Sequence, residues 1–567
     1  MAEPLPAVVS RAQVGSALAG RQRPAAPADE LGEEGRAAVV DTLIRLLEGL
    51  YAHLPLKRAM YAIDPVQRLR LLRQRVAVTG DAELHAEVAA VLTSLRDAHT
   101  RYVGPASLEG RVAALPFLVE AYGEAGHRRY VVSKIAAAWR QRHDPAFEPG
   151  VELLQWNAVP VDRAVDLYAD RETGGRPDAR RSRALTSLTV RPLQYLPAPD
   201  EDWVLLGYRD RDGHKQEVRV DWRVLTPGRA LTALAAAPAG RRVVAADPAA
   251  ELARRARKLL YAPEQWHAER RPQRPAAPAA GGGWIPTALH DAVAAREVTT
   301  RAGRLGYLRL WSFDVADDQA FVEEIARLLQ LLPETGLVVD LRSNPGGLVW
   351  AAERMLQLMT PNRIRPTRFS FVATALTRAM VNLPQNEDDL EPWRDSVGEA
   401  LATGELYSRA VPLTPEDRAN DTGQVYAGPV VAVADANTYS AADLFAAGFV
   451  DNEVGVLVGV DDATGGGGAN VWDVAEVRRS LAGSGLEPAE LPGGVGFTIA
   501  ARRATRSADG ATIEDAGVRA QDHYPLTRRD LMDGNHGLLN HCGELLREQA
   551  RSALLGGSEV LDVGGRR

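Results

Sequence analysis

The chain has 567 residues, a length that predicts about two to four folding domains rather than one. Its net charge of −7 and its ordinary apolar content are typical of a soluble globular protein and argue against a general nucleic-acid binder. Cys542 is the only cysteine, which excludes an intrachain disulfide and a cysteine-based zinc site.

The N-terminal sequence does not predict export. It lacks a long apolar run behind a basic start, so we expect no secretory signal peptide. No stretch of about eighteen uncharged apolar residues occurs, so no membrane span is expected. A cytoplasmic location is the simplest expectation, with export through an unrecognised signal left open.

The first hundred residues divide into an arm and a helical domain. Residues 1–36 are rich in Ala, Pro, Arg and Glu without periodicity, which predicts a disordered arm. Residues 37–103 carry apolar stripes at helical spacing and form the predicted N-terminal helical domain. This domain closes with LRDAHTRYV, where His99 follows the last helix; a lone histidine there is usually a surface or capping residue.

Residues 110–225 change to short β-rich runs separated by Gly, Pro and charged turns. The segment PGVELLQWNAVPVDRAVD resembles the pattern of a PDZ domain. In that reading Leu115 and Phe117 belong to an edge strand, LPFLV, that grips a peptide by strand addition. Pro116 removes one loop N–H, which weakens or alters the capture of a carboxylate. The alternative is a small β-domain without a ligand.

The remaining chain predicts a linker, an α/β core and a tail. Residues 226–295 are an insertion and linker with a helix at Ala249–Leu260. Residues 296–545 alternate strand and helix, which indicates an α/β fold with parallel pairing. Within them, the polar segment of about 363–425 is expected to be a surface excursion or lid. Residues 546–567 are expected to be a flexible tail.

A strand, a turn and a helix are predicted around VVAVADANTYSAADLF. This order places Ser440 at a helix N-terminus, where free N–H groups and the helix dipole favour developing negative charge. The position suits a nucleophile. It equally suits an ordinary cap, because Ser440 and Asp443 have the spacing of a capping box.

Five motifs in one order carry a family resemblance. The motifs are GYLRLWSF, DLRSNPGG, YSAADLFAAGFVDN, ATGGGGANVW and GATIEDAGVRAQD. Together with LTSLRDAHTRY, their order resembles the C-terminal processing (tail-specific) serine peptidases and their tricorn-core relatives, over roughly residues 37–545. The resemblance implies a ClpP/crotonase-like ββα core at 296–545, preceded by a PDZ-like domain and an N-terminal helical domain.

The family uses two chemistries, and the resemblance favours the one that depends on histidine. The Ser–Lys branch needs a lysine in a turn that here reads TGGGGAN, and no lysine follows Lys258. The tricorn-core branch implies His99 as the base of Ser440 and Glu514 as its supporting carboxylate. Tricorn relatives carry a serine where this chain has Ala98. Asp97 is not expected to replace Glu514, because residues two apart on a helix or turn point away from each other. It could instead cap the helix end or bind a loop N–H.

The tetrahedral oxyanion needs backbone donors as well. Ala441 N–H at the helix start is one candidate, and the turn at Gly346 and Gly347 is the other. The plain alternative for that turn is a need for positive φ. Thr464 and Gly465 begin a glycine-rich loop that lacks the end of a P-loop and is expected to line the substrate cleft.

The predicted function is a serine peptidase that cleaves unfolded or C-terminal protein segments through an acyl-enzyme. We expect a peptide or protein substrate, no cofactor, no metal and no nucleic-acid partner, and a homo-oligomer is possible. His523 and His536 are rival bases but are expected to be surface residues. The alternatives are a catalytically silent binding protein of the same fold and a crotonase-type acyl-CoA enzyme.

Overall fold

The computed structural model describes residues 30–124, 126–140, 145–226, 244–262 and 283–562. The α-helices are α1 (Gly32–Gly49), α2 (Leu54–Tyr61), α3 (Pro65–Arg73), α4 (Asp81–Thr93), α5 (Ala137–Arg140), α6 (Val161–Ala169), α7 (Pro177–Ser187), α8 (Pro248–Tyr261), α9 (Asp318–Gln330), α10 (Val349–Gln357), α11 (Ala375–Val381), α12 (Glu387–Thr403), α13 (Glu416–Ala419), α14 (Ala441–Asp451), α15 (Val474–Leu481), α16 (Arg528–Met532) and α17 (His536–Asp562).

The strands follow the same chain order. They are β1 (Arg101–Val103), β2 (Val112–Ala114), β3 (Phe117–Glu124), β4 (His127–Ile135), β5 (Glu152–Trp156), β6 (Val159–Pro160), β7 (Val190–Pro192), β8 (Trp203–Arg209), β9 (Lys215–Asp221), β10 (Arg223–Leu225), β11 (Val244–Ala246), β12 (Val293–Thr300), β13 (Gly303–Leu310), β14 (Leu337–Asp340), β15 (Gly346–Leu348), β16 (Arg368–Ser370), β17 (Val411–Pro412), β18 (Val430–Ala434), β19 (Val456–Gly459), β20 (Ala469–Asp473), β21 (Gly496–Thr505) and β22 (Asp522–His523).

The N-terminal helices α1–α4 pack on the catalytic core. Most of the predicted arm lies outside the described residues, and α1 begins at Gly32, earlier than the predicted end of the arm at residue 36. Asp64 caps α3 by accepting the Gln67 N–H, and Pro65 occupies the first turn, where no N–H is needed. The apolar stripe of α1 joins the same hydrophobic cluster as the strands and helices of the core. The N-terminal helices and the catalytic core therefore form one packed unit.

The segment with His99 is tied directly to the catalytic core. It lies between α4 and β1, and β1 pairs antiparallel with β21, with Arg101 opposite Thr498. Ala52 adds a backbone bond of 2.9 Å to Ala500 on the same strand. These bonds fix an N-terminal histidine against the core.

The β-rich domain has a sheet and a core of its own. Its strands run in the order β3-β4-β5-β8-β9, with β6 paired to β5, so β3 is an edge strand. Helices α6 and α7 lie between β6 and β7 in the chain, and apolar residues of both belong to a separate core with Phe117, Trp156 and Trp222. Strand β2 pairs with β10 and β7 in a small three-stranded sheet.

The catalytic core is built on a six-stranded sheet of order β12-β13-β14-β18-β19-β22. Only the pair of β12 and β13 is antiparallel; the pairs from β13 to β22 are parallel. Strands β14 and β18 are buried at every residue, which explains their continuous apolar sequences. The carboxyl ends of these two parallel strands lead into the loops that carry Gly346 and Ser440.

The prediction of a surface excursion over 363–425 is wrong. This segment contains α11–α13, β16 and β17, and β16 pairs with β21. Trp393 is 2 % exposed and donates its indole N–H to the carbonyl of Phe369. The polar residues that suggested an excursion lie on the outer faces of helices whose inner faces are buried.

Two further differences concern helices. Helix α17 runs to Asp562, and Leu546 is fully buried, so the core does not end where the predicted tail begins at residue 546. In the insertion, α8 covers nearly the predicted helix and is capped by Asp247. Strand β11, just before α8, pairs antiparallel with β15. Parts of the predicted linker, residues 227–243 and 263–282, lie outside the described residues.

Candidate active site

Ser440 lies on a sharp turn between β18 and α14. Its φ of 67° and ψ of −123° are unfavourable for a residue with a side chain, and such strain is concentrated at functional sites. The Asp443 carboxylate accepts the Ser440 N–H at 2.7 Å, which holds the turn. Ser440 is fully buried, so its hydroxyl must meet a polar partner inside the protein.

That partner is His99. The Nε2 atom of His99 lies 2.6 Å from Oγ of Ser440, across a sequence separation of 341 residues. The imidazole packs against the ring of Tyr439, with the ring centroids 4.8 Å apart. The Tyr439 hydroxyl accepts the Ala98 N–H at 3.3 Å, so Tyr439 supports the histidine loop from two sides.

The electrostatic environment keeps His99 neutral. Burial lowers the pKa of His99 to about 4, although the nearby charge of Asp97 acts in the opposite direction. A neutral imidazole near pH 7 can accept a proton from the Ser440 hydroxyl, whereas an imidazolium cannot.

Asp97 is the carboxylate closest to the imidazole in this arrangement. Its Oδ1 accepts the His99 backbone N–H at 2.8 Å and lies 4.0 Å from His99 Nδ1. Nδ1 has no hydrogen-bond partner among the described residues. Asp97 binds a loop N–H, which was one of its expected roles, but its carboxylate also lies beside the imidazole, because Arg96 has a φ of 55° and the chain here follows no regular helix.

Four donors fix the Asp97 carboxylate. Besides the His99 N–H, the donors are the Tyr51 hydroxyl at 2.9 Å, His53 Nδ1 at 3.1 Å and the Thr100 hydroxyl at 3.2 Å. Burial alone would raise the pKa of Asp97, but the hydrogen bond and charge of His53 hold it well below its usual range. Asp97 is therefore a permanent negative charge beside His99.

Glu514 does not make the predicted contact with His99. Its Oε1 accepts a hydrogen bond from Lys57 at 2.7 Å, and its Oε2 accepts the Gly468 N–H at 3.2 Å. Burial and the charge of Asp97 raise the pKa of Glu514 to about 7. The physical reason for the difference is Lys57, a buried cation from α2 that binds Glu514 in place of the imidazole.

Lys57 is a cation rather than a base in this environment. Burial would lower its pKa, but the charges of Glu514 and Asp515, both 2.7 Å from its ammonium group, raise it instead. His53, Asp97 and Glu514 also place ligand atoms within 4.8 Å of one another, a donor set that a metal could use. The Lys57 ammonium group competes for that set, because it already binds Glu514.

The predicted oxyanion donors differ in whether their N–H groups already have an acceptor. Ala441 is the first residue of α14, so its N–H has no acceptor within the helix. The Gly346 N–H is donated to the Asn344 side chain at 2.9 Å, and Gly347 lies opposite Ala245 in the pair of β15 and β11. A Cβ at Gly347 would lie 2.0 Å from the Phe313 backbone, so only glycine fits there.

The predicted cleft residues Thr464 and Gly465 face the protein interior. The Thr464 hydroxyl donates to Asp443 at 2.5 Å, and the Gly465 N–H donates to the Thr438 carbonyl at 2.7 Å. Asp443 also accepts the N–H groups of the next two glycines at 3.0 and 2.8 Å. The glycine-rich loop therefore braces the nucleophile turn through Asp443, a role that the sequence analysis missed although the capping-box spacing singled out that residue.

Leu115 and Phe117 do not present a peptide site. The Leu115 N–H is donated to Thr189 at 2.8 Å, and its carbonyl accepts the Tyr261 hydroxyl at 3.2 Å. Phe117 is fully buried against Trp156 and other aromatic residues of its own domain. Helix α8, which brings Tyr261, covers the position that the PDZ pattern assigns to carboxylate capture.

The two rival histidines lie on the surface. His523 and His536 are exposed, and no hydrogen bond joins either to Ser440 in the described ranges. No helix in those ranges is both long and apolar enough to cross a bilayer.

His53 and Lys57 are buried beside the site and were missed in the sequence. Their signal was the helical stripe before His99 and the rarity of lysine in this chain.

Comparisons with known proteins agree with this architecture. Residues 304–519 match the model of peptidase family S41, and residues 111–230 match the model of the PDZ domain. No significant match was found among curated protein sequences.

Solved structures show the same fold. Mature CPAF superposes with a TM-score of 0.62 and 19 % identity over 91 % of this chain and 98 % of that one. Mature CPAF complexed with lactacystin gives a TM-score of 0.61 and 18 % identity over 91 % and 99 %. The tricorn protease is less similar, with a TM-score of 0.38 and 13 % identity over 92 % of this chain and 37 % of that one.

Proposed function

We propose that this chain, a serine-type peptidase whose catalytic domain is of peptidase family S41, cleaves peptide bonds through an acyl-enzyme on Ser440 with His99 as base. The observation that carries the proposal is the 2.6 Å contact between His99 Nε2 and Ser440 Oγ. A neutral, buried imidazole within hydrogen-bond distance of a hydroxyl on a strained turn is the arrangement that activates a serine.

In acylation, His99 Nε2 takes the proton of Ser440 as Oγ attacks the scissile carbonyl. The tetrahedral intermediate then collapses, the carbon–nitrogen bond breaks, and the imidazolium gives its proton to the leaving amine. Water repeats the sequence in deacylation, with His99 again accepting the proton. Ala441 N–H is the first oxyanion donor, and the Gly346 N–H, which is donated to Asn344, would have to leave that acceptor to act as a second.

The imidazolium formed in these steps needs a negative partner, and we assign that role to Asp97. It lies 4.0 Å from Nδ1 and stays ionised. Glu514 acts indirectly. It holds Lys57, and the charge of Lys57 helps to keep Asp97 ionised. We therefore place the chain in the histidine-dependent branch of the family rather than the Ser–Lys branch.

The substrate that we propose is an unfolded or C-terminal protein segment. A buried nucleophile near a cleft, one wall of which includes Asn437, admits an extended chain more easily than a folded surface. The PDZ-like domain adjoins this cleft through α7. Because Leu115 is covered, we expect the domain to position substrate without a free carboxylate-binding loop.

Labelling with a fluorophosphonate probe tests the proposal. Wild type should be labelled, and Ser440→Ala and His99→Ala should not, with folding checked by circular dichroism. Cleavage of denatured casein should follow the same pattern. Folded wild type that neither labels at Ser440 nor cleaves casein would contradict the mechanism and favour the silent binding protein.

A further inference from the structure

A cleft opens beside the catalytic residues, where α7 and α8 face the loops that lead to β15 and α14. Ser343 and Asn437 form part of the loop side, and Arg183 and Arg257 form part of the helical side. The cleft has a volume of about 50 Å³, which is more than one ordered water needs. A small polar group such as a carboxylate therefore fits.

Two of the basic residues in this cleft are neutralised inside the protein. Arg101 and Arg183 both bind the buried Asp247, at 3.4 and 2.5 Å. Glu172, a second buried carboxylate of the cleft, acts on Arg183 through its charge. These two guanidinium groups and two carboxylates balance one another.

Arg257 supplies the charge that remains. Within the described ranges, no residue forms a hydrogen bond or an ion pair with its guanidinium group. Glu120 and Asp435 attract it only from beyond ion-pair distance, and Asp435 is already bound by Ser343. Burial lowers the pKa of Arg257, but a guanidinium group stays protonated in proteins.

A partly buried cation that opens onto a cleft is costly unless an anion meets it. We infer that Arg257 binds a carboxylate of the peptide substrate, either an acidic side chain or the C-terminal carboxylate. Arginine suits this role because its planar donors match a carboxylate in a bidentate pair.

The inference rests on the proposed function and gives it a substrate class. Asn437 is three residues before Ser440, so at most about 10 Å of extended chain separates this wall of the cleft from the nucleophile.

Matched peptide pairs test the inference. Short synthetic peptides carry Glu or Gln at each position in turn and end in a free acid or a carboxamide. We expect wild type to prefer the carboxylate-bearing member of a pair by about tenfold or more in kcat/KM, because charge-assisted hydrogen bonds are the strong class. In Arg257→Gln this ratio should fall to about one, and Arg257→Glu should favour peptides with lysine instead.

Arg327→Gln is the matched control, because it removes an exposed arginine of α9 that pairs with its neighbour Glu324 and donates to the Pro286 carbonyl. The control should keep the wild-type ratio. A preference confined to Glu peptides assigns the cleft to side chains, and one confined to free acids assigns it to the C-terminus; both support the inference. Ser440-dependent cleavage with equal kcat/KM for both peptides of a pair would overturn the inference about Arg257 but not the proposed function. An unchanged preference for the carboxylate-bearing peptide in Arg257→Gln would have the same meaning. No Ser440-dependent cleavage of any peptide would overturn the proposed function as well.

Discussion

Replacing Asp97 by asparagine tests which carboxylate supports the catalytic histidine. The amide has the same shape and can still accept the His99 N–H, but its NH2 group replaces the oxygen that accepts from Tyr51, His53 and Thr100, so folding of the variant is checked by circular dichroism. The change removes one negative charge 4.0 Å from His99 Nδ1. At an effective dielectric constant of about 20, two unit charges at that distance attract by about 4 kcal/mol.

That attraction exists only while His99 is protonated, during the transition state and the intermediate. Its loss should therefore lower kcat by up to about 10³-fold, since each 1.36 kcal/mol corresponds to about tenfold in rate. The charge of Asp97 also raises the pKa of His99, so its removal should move that pKa further down.

The assay is the dependence of kcat and kcat/KM on pH. In wild type the acid limb of kcat/KM should lie near pH 4, because it reports the base of the free enzyme and the pKa of His99 is lowered to about 4. In Asp97→Asn this limb should move to lower pH as kcat falls. Glu514→Gln is the comparison, and it should retain most of kcat. A large loss in Glu514→Gln beside a threefold change or less in Asp97→Asn would refute our assignment.

Further predictions concern stability and the fit of the glycine-rich loop. The pKa of Glu514 is raised to about 7, so its contribution to stability is complete below about pH 4.5 and is lost as pH rises through 7. Chemical unfolding should therefore show that wild type loses about 3 kcal/mol of stability relative to Glu514→Gln over this pH window. Lys57→Met leaves two buried carboxylates without their cation and should destabilise the protein by about 3–5 kcal/mol in urea titrations; a change below about 1 kcal/mol would contradict this. A Cβ at Gly467 would lie 2.3 Å from the Tyr439 ring, so Gly467→Ala should lower kcat. The control is Gly398→Ala, because Gly398 is a helical glycine with open space around it. This variant should be more stable by about 1 kcal/mol and should leave kcat unchanged.

Local sequence patterns were sufficient for the elements that carry the chemistry. A buried strand, a polar turn and an apolar helix place Ser440 at a helix start, and each of these signals is contained in about twenty residues. The position of His99 came from a family resemblance. Periodicity alone could not bring together two residues that are 341 positions apart.

The carboxylate network could not be predicted in the same way. Which acid faces His99 depends on the left-handed backbone at Arg96 and on Lys57 reaching Glu514 from another helix. Neither feature has a local sequence signal, and the contact of Lys57 with Glu514 depends on how α2 packs against the catalytic core. The covered Leu115 has a similar cause, because Tyr261 arrives from a helix more than a hundred residues away.

The origin of His99 in an N-terminal segment has a consequence for biosynthesis. A ribosome makes the histidine first, the serine much later, and β21, which holds the histidine segment in place, later still. A nascent chain therefore carries no assembled catalytic pair until β21 has emerged and β1 has docked on it. On the proposed mechanism, synthesis order alone would delay proteolysis until nearly the whole catalytic core has been translated, because a product that ends before β21 lacks the strand that holds the His99 segment.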